Sequence, residues 1–328
     1  MLMVVKAKVE SPKTYPIIVP TQLGNLQTLN YYLVHQGEDL ILIDAGAEND
    51  ACWDALIDTL HANDYTLQDI TAIILTHNHA DHIGIVNRIR KEIDVPLYAH
   101  EDAIIRLKRD TDFLEKRIAF FTELYQEMGC LTEAEPLIER MVQSIHKNAH
   151  QKINGPIIPL KEGDTIFGFD VIYVPGHAPD HIFLWHKESK TAYVGDLILS
   201  HSPSNALVEL DKTGERTKSL VLYEQSLQKL RTYEPAIAYS GHGEIIHDPI
   251  ELIDQKLNRI ETKADRILAL LYEEKTAAEI AKEMYKERYE PLLPLVMSEV
   301  IGYLDRLYAL QKVTQTRKNG IIYYKKHM

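Results

Sequence analysis

The chain has 328 residues, enough for one large domain and a smaller one, and its formal net charge of -12 argues against a broad electrostatic grip on nucleic acid. Apolar residues make up 45% of it, but no apolar run approaches the roughly 20 residues needed to cross a bilayer, so no membrane partner is expected. A secretion signal is not visible at the N-terminus, and Cys52 and Cys130 are too few for a disulfide framework, so we expect a cytoplasmic protein.

The first hundred residues alternate short strands with amphipathic helices. Apolar and β-branched runs between turn residues predict strands. Apolar positions at helical spacing, such as Trp53, Leu56 and Leu60, predict a helix. In chain order the predicted elements are strands 15–19, 30–34 and 40–44, a helix 50–61, a strand 72–75, a helix 83–91 and a strand 96–99. This alternation is typical of an α/β protein.

Residues 101 to about 150 are charged and helix-prone, which predicts a helical insertion with helices at 113–128 and 133–148. Strand patterns then resume at 171–174, 182–185, 192–194 and 236–239. We expect the insertion to be a lid that shapes a substrate pocket, with Phe120, Phe121 and Tyr125 as candidate wall residues. The alternative is a helical hairpin that only covers a sheet edge.

The tail differs again, with helix-prone segments at 251–272, 276–285 and 292–310. A hairpin is predicted over 313–324 around Asn319-Gly320. Three helices and a hairpin predict a small winged-helix domain at 249–328, packed against a catalytic domain at 1–248. Lys312, Arg317, Lys318, Lys325 and Lys326 make its end basic. Contact with phosphates is one explanation, but packing on the catalytic domain or homodimer formation is favoured.

Four potential metal ligands occur within six residues, directly after the predicted strand 72–75: His77, His79, Asp81 and His82. A loop at the end of a strand lets several side chains converge on one point. Imidazole and carboxylate groups suit zinc, manganese or iron. A single histidine here could be structural, but the cluster predicts a metal site.

The segment from His77 to His82 resembles the His-x-His-x-Asp-His signature of the metallo-β-lactamase fold hydrolases. Three later motifs stand in the order of that family: one ending at His177 resembles its third-histidine motif, one ending at Asp196 its bridging-aspartate motif, and one around His242 its final-histidine motif. The segment 42–46 is similar to the family's early strand and turn, where Asp44 is a supporting residue. The resemblance spans about residues 15 to 245.

The resemblance implies an αββα sandwich of two mixed β-sheets flanked by helices. It implies one metal ion on His77, His79 and His177, a second on Asp81, His82 and His242, and Asp196 bridging them. Five histidines and two carboxylates also provide about the right number of donors for two divalent ions with open positions for water and substrate. Zinc is the expected metal, and manganese or iron is compatible with the same donors.

A hydroxide shared by the two ions is the expected nucleophile, and Asp81 is the candidate catalytic residue that orients it and passes a proton. Among the other histidines, His181 and His201 are the further candidates for the pocket, because they stand close to the ligand motifs in sequence.

This sequence departs from the patterns of several branches of the family, and these departures restrict the reactions that we expect. Lactamases proper usually lack an aspartate at the position of Asp196, and acyl-homoserine lactonases often carry a tyrosine where Leu199 stands. The complete second ligand set argues against the single-iron persulfide dioxygenases. A smaller group joins this catalytic domain to a C-terminal winged helix, and some of its members resemble RNA-cleaving enzymes.

We therefore expect a glyoxalase II-like dinuclear hydrolase of a small-molecule ester, thioester or lactone. An endoribonuclease or phosphodiesterase that holds nucleic acid with its C-terminal domain is the alternative. A non-catalytic binding protein is a third hypothesis, and the intact ligand set counts against it.

Overall fold

The computed structural model describes residues 11–22, 24, 26–202 and 204–327. Residues 1–10, which belong to the predicted catalytic domain and to the segment inspected for a secretion signal, lie outside the described part. Within the described residues, none of the helices combines the length and the apolar character needed to span a membrane.

One sheet of the described chain has the strand order β1-β2-β3-β4-β5-β6. Its strands are β1 (Lys13–Pro20), β2 (Thr28–Gln36), β3 (Asp39–Ile43), β4 (Ala72–Ile74), β5 (Leu97–His100) and β6 (Ile158–Leu160). β1 to β3 pair antiparallel, and β3 to β6 pair parallel. Strand β3 is apolar at almost every position because both faces of the sheet are covered.

The second sheet has the order β11-β10-β9-β8-β7. Its strands are β7 (Thr165–Ile166), β8 (Phe169–Tyr173), β9 (Ile182–His186), β10 (Thr191–Gly195) and β11 (Ile237–Ser240). Only β10 and β11 pair in parallel. Tyr32 and Ile41 of the first sheet share one buried cluster with Leu184 and Tyr193 of the second. The two mixed sheets therefore pack face to face.

Helices cover the outer faces of both sheets. They are α1 (Asp50–Ala62), α2 (Ala80–Ile83), α3 (Val86–Glu92), α4 (Ile104–Leu107), α5 (Thr111–Glu127), α6 (Leu131–Lys147), α7 (Ser219–Thr232), α8 (Pro249–Ala269), α9 (Ala277–Tyr285) and α10 (Leu293–Ala309). Leu56 of α1 and Ile89 of α3 pack with the first sheet, whereas Leu227 of α7 and Ile253 of α8 belong to the core of the second. The arrangement agrees with the expected α/β architecture.

One predicted helix starts later than expected, and another helix was missed. The helix predicted over 83–91 is α3, which begins at Val86, and a separate short helix, α2, ends before it at Ile83. The turn between them contains Gly84. This glycine packs so closely on a neighbouring loop that a Cβ there would lie 2.1 Å from the backbone of Ala47. Helix α7 was missed although Leu220, Tyr223, Leu227 and Leu230 repeat at helical spacing. Strands β6 and β7 are too short to show a pattern.

The helical insertion contains α4, α5 and α6, and its far end contacts the C-terminal segment. The N–H of Ala278 donates to the carbonyl of Met128, 3.1 Å away, at the turn between α5 and α6. Phe121 and Tyr125 are buried in the core and do not line the cleft described below, so their prediction as wall residues of that cleft was wrong. Phe120 packs partly buried against the same core.

The C-terminal segment contains α8, α9, α10 and the strands β12 (Lys275–Thr276), β13 (Val313–Lys318) and β14 (Ile321–Lys326). The predicted hairpin around Asn319-Gly320 is confirmed, because Lys318 pairs with Ile321. Val300 of α10 lies in the same core as Phe183 of β9, so this segment packs on the second sheet as expected. The domain boundary after residue 248 stays a prediction.

A buried arginine joins three of these helices. Arg306 of α10 is only 5% exposed. Its guanidinium donates to both carboxylate oxygens of Glu224 in α7, at 2.6 and 2.9 Å, and also to Glu261 in α8. Two parallel bonds to one carboxylate form the strong bidentate geometry of arginine.

We expect Arg306→Ala to lower the free energy of unfolding by roughly 3 kcal/mol, because Glu224 would keep a largely buried charge without its partner. Urea unfolding monitored by circular dichroism measures this change. Arg140→Ala, at an exposed position of α6, is the control and should change stability by less than about 0.5 kcal/mol. Equal midpoints for both variants would contradict the assignment.

Candidate metal centre

The loop after β4 carries the predicted ligands to one edge of the sandwich. β3 and β4 are parallel, so their carboxyl ends meet at the same edge. Asp44 follows β3, and the backbone N–H and hydroxyl of Thr76 both donate to its carboxylate at 2.8 Å. His77 and His79 come next, and α2 then places Asp81 and His82 in its single turn.

The first group of donors consists of His77, His79 and His177. The Nδ1 atom of His79 lies 3.0 Å from the Nε2 atoms of both His77 and His177. Nitrogens that share a tetrahedral ion at about 2.0–2.1 Å lie roughly 3.3 Å apart, so the spacing is close to that of a metal site. Burial lowers the pKa of all three rings, that of His79 to about 3, which leaves them neutral with free lone pairs.

The second group consists of Asp81, His82 and His242, and Asp196 lies between the two groups. The Nε2 atom of His242 is 3.4 Å from Asp81 Oδ2 and 3.2 Å from Asp196 Oδ2. Asp196 also reaches His82 at 3.4 Å and His177 of the first group at 3.5 Å. Its carboxylate can therefore contact ions in both groups.

The pKa values of the second group differ from those of the first. Burial opposes the charged form of His242, but Asp196 and Asp81 outweigh it and raise its pKa to about 9. The pKa of Asp196 is held well below its usual range, because the nearby histidines outweigh the effect of burial. A divalent cation on these donors would compete with a proton, so binding of the ion would release protons.

The outer nitrogens of the histidines are held by neighbouring acceptors. His82 Nδ1 donates to Asp44 at 2.8 Å, and His242 Nδ1 donates to the carbonyl of Thr28 at 2.7 Å. His177 Nδ1 donates to the carbonyl of Asn205 at 2.9 Å. Each bond fixes the tautomer in which Nε2 carries a lone pair toward the centre.

The inner atoms of the second group lack such partners. His82 Nε2, His242 Nε2 and Asp196 Oδ1 are buried, and none of them has a hydrogen-bond partner among the residues that the structure describes. Buried polar atoms are almost always satisfied in native proteins. Donor atoms that could share a divalent cation lie within 4.8 Å of one another in three sets: His77, His79 and His177; His77, His82 and Asp196; and Asp81, His82 and His242. The structure thus brings all seven predicted residues together, with Asp196 between the two groups, and their role as ligands stays a prediction.

Asn30, Gly241 and Thr28 support the loop that carries His242. Asn30 and Thr28 were missed in the sequence, because a long-range amide contact and a backbone carbonyl leave no local pattern. The side-chain amide of Asn30 donates to the carbonyls of Ser240 and Gly243, at 3.1 and 2.8 Å, and so clamps the loop that carries His242. A Cβ at Gly241 would lie 2.4 Å from Asp196 Oδ1, so only glycine fits there. Thr28 supplies the backbone acceptor for His242.

The two further histidine candidates have different positions. His181 is fully buried, its ring stacks on His77, and its Nε2 accepts from the Asp196 N–H at 3.1 Å. It therefore positions a predicted ligand instead of lining a pocket. His201 is half-buried beside Gly243.

A cleft of about 260 Å³ opens at His79. Its residues include Asn78, His79, Ile83, Arg106, Arg109, Phe113, Leu114, Arg117, Pro179, Leu207 and Glu209. The helical insertion therefore borders the cleft, but with the start of α5 and not with Phe120, Phe121 or Tyr125.

Basic side chains dominate the polar part of this cleft. Arg117 is paired with Glu209, with its Nε 2.8 Å from both carboxylate oxygens. Arg109 donates to the carbonyl of Ser144 at 2.8 Å, and Arg106 donates to that of Leu210. Neither Arg106 nor Arg109 forms an ion pair within the described chain, so the cleft has an excess of positive charge.

Comparisons with known proteins agree with this arrangement. The family model described as the Metallo-beta-lactamase superfamily matches residues 25–242. The probable metallo-hydrolase YqjP of Bacillus subtilis is 33% identical over 299 residues, 90% of this chain and 92% of that protein. The atrochrysone carboxyl ACP thioesterase of Aspergillus fumigatus is 24% identical over 246 residues, 75% of this chain and 60% of that protein.

A solved structure shows the same fold over nearly the whole chain. It is that of a metallo-beta-lactamase family protein from Thermus thermophilus, with a TM-score of 0.76 and 22% sequence identity. The likeness covers 96% of this chain and 98% of that one, so it includes the C-terminal helices.

We expect Asp44→Asn to weaken binding of the metal ion at the second group by about 10–100-fold, because His82 would lose its carboxylate acceptor. The effect on the first group should be smaller, because Asp44 reaches His77 only through the hydroxyl of Thr76. Titration of metal-stripped protein with zinc, followed by calorimetry, measures both affinities. Asp94→Asn, at an exposed position, is the matched control. Two unchanged affinities in the Asp44 variant would contradict the supporting role of this residue.

Proposed function

This chain belongs to the metallo-β-lactamase superfamily of hydrolases, and we propose that it uses two divalent metal ions to hydrolyse a small-molecule carboxylic ester, thioester or lactone. The observation that carries the proposal is the position of Asp196 between two groups of convergent donors beside a cleft. We assign it to the glyoxalase II-like dinuclear branch and infer zinc as the metal, because imidazole and carboxylate donors suit zinc.

When bound, the two ions would polarise the substrate carbonyl and lower the pKa of a water molecule toward neutrality. The chain's own contribution begins with Asp81, whose side chain is 23% exposed, whereas that of Asp196 is 8% exposed. Asp81 is thus the carboxylate of the centre that solvent and substrate reach most easily. Its oxygens can orient the attacking water and then pass a proton to the leaving group.

The cleft favours a small substrate. Its volume of about 260 Å³ is close to the lower end of the range for small-molecule sites. Phe113, Leu114 and Leu207 provide apolar contacts for an acyl group, and Arg106 and Arg109 favour a substrate with a negative charge. A relative named as a thioesterase supports the thioester among the three substrate classes.

A nuclease or phosphodiesterase is the second candidate, and the arginines of the cleft favour it because phosphate groups suit guanidinium. We infer a winged-helix arrangement for the C-terminal segment from its order of α8, β12, α9, α10 and the hairpin β13–β14. Its basic hairpin is partly neutralised, since Arg317 pairs with Glu127 and Lys318 pairs with Glu274. These ion pairs weaken the case for a phosphate-binding wing.

The substrate class is tested by one panel of reactions on the zinc-loaded protein. We expect turnover of short carboxylic esters and thioesters that is lost with a chelator and restored by zinc, because the proposed centre supplies the nucleophile. Single-stranded RNA and a phosphodiester should not be cleaved at a comparable rate. RNA cleavage without ester or thioester turnover would replace the first proposal by the second.

We expect Asp81→Asn to reduce kcat by about 10²–10⁴-fold, because the amide cannot accept a proton from the attacking water. The metal content, measured by mass spectrometry, separates this effect from a lost ion. Asp94→Asn is again the matched control. A variant that keeps two ions per chain and full turnover would exclude the proton-transfer role of Asp81.

A further inference from the structure

A second cavity of about 350 Å³ lies between the second sheet's helices and the C-terminal helices. We call it the α8 cavity. It is bordered by α7, α8, α10 and the segment 204–206. It shares no lining residue with the cleft at His79.

One face of α8 gives this cavity a strong positive charge. Lys256, Arg259, Lys263 and Arg266 recur at intervals of three or four residues, so they project from neighbouring positions of one helix face. Lys263 is neutralised by Glu299, which is the acidic residue among those that line the cavity. Three cations are left in excess, within a chain whose net charge is -12.

Lys256 is the most informative of these side chains. It is only 7% exposed, and its Nζ donates to the carbonyl of Ser202 at 3.2 Å. No carboxylate within the described residues pairs with it. Burial, together with the charge of Arg259, lowers its pKa to about 8. A buried ammonium without a counter-charge is costly, so this position is explained if an anion binds there.

The charge and the walls together indicate the class of ligand. Lys256 and Arg259 are one helical turn apart and would balance two negative charges, which a phosphate monoester carries near neutral pH. A simple carboxylate would leave one of these two cations unbalanced, whereas the third cation in excess, Arg266, is exposed to solvent. Leu220, Ile260 and Tyr303 form an apolar wall in the same cavity.

We propose that the α8 cavity binds a phosphorylated small molecule, with its phosphate at Lys256 and Arg259 and its apolar part against Leu220, Ile260 and Tyr303. This binding does not depend on the proposed hydrolase activity.

The cavity is connected to the predicted metal centre through two residues. Asn205 lines the cavity, and its carbonyl accepts the hydrogen bond from His177. The hydroxyl of Tyr223 donates to the carbonyl of Leu197, next to Asp196, at 3.0 Å. The ligand is therefore either the phosphorylated end of the substrate or a separate effector, and the two sources share the same chemistry.

The test is calorimetric titration of the intact, zinc-loaded protein with phenyl phosphate, beside benzoate and inorganic phosphate. We expect saturable binding of phenyl phosphate that weakens at least tenfold in Lys256→Met and in Arg259→Gln, with benzoate much weaker. Lys91→Met, on an exposed surface of α3, is the control and should bind like the wild type. The thermal midpoint of Lys256→Met should equal or exceed that of the wild type, since an unbalanced buried charge is gone.

Unchanged binding in both variants would place the ligand elsewhere, for example at the metal centre, and would overturn the proposal. An absence of phenyl phosphate binding to the wild type, or a lower midpoint for Lys256→Met with unchanged binding in Arg259→Gln, would do the same. Arg259 is exposed, so its variant keeps the test valid if Lys256→Met fails to fold.

Enzyme kinetics then show whether the ligand is the phosphorylated end of the substrate or a separate effector. If the phosphate belongs to the substrate, Lys256→Met raises KM for phosphorylated esters and leaves KM for unphosphorylated esters unchanged. If it belongs to an effector, phenyl phosphate changes the turnover of unphosphorylated esters without competing with them, and Lys256→Met abolishes that change. Each result supports binding at the cavity.

Discussion

The rest of the centre depends on the hydrogen bonds that the carboxylate of Asp44 accepts. This carboxylate accepts from the backbone and hydroxyl of Thr76 and from His82. The hydroxyl of Thr76 in turn lies 3.1 Å from His77 Nδ1. One side chain at the end of β3 thus orients a ring in each group of donors. Because the parallel pairing of β3 and β4 sets the position of both strand ends, the register of the sheet determines the geometry of the site.

The cluster from His77 to His82 could be predicted because metal chemistry restricts which side chains occur in a metal site, whereas His177, Asp196 and His242 were assigned through the resemblance to a family. Histidine and aspartate in short motifs are rare by chance, and the seven predicted donors do meet at one edge of the fold. Asn30 and Asn205 were not predictable, since a long-range contact of an amide or of a backbone carbonyl leaves no local pattern. The ion pair of Arg117 with Glu209 could not be predicted either, because it is also a long-range contact.

The helical insertion shows a second limit of prediction from the sequence. Its helices were predicted close to their observed bounds, but the residues that face the cleft were not. The first turns of α5 reach the cleft with Phe113 and Arg117, whereas Phe121 and Tyr125 further along are buried in the core. Helical spacing identifies an apolar face, but only the packing of the whole chain decides which part of that face meets a ligand.

Helix α5 also connects the cleft with the C-terminal segment. Its end contacts this segment through Met128, whose sulfur lies 3.8 Å from the hydroxyl of Tyr324, and through the ion pair of Glu127 with Arg317. Helix α5 is thus held at both ends, by Arg117 and Phe113 at the cleft and by Glu127 at the hairpin β13–β14. The C-terminal segment therefore helps to fix the position of the helix whose first turns border the cleft.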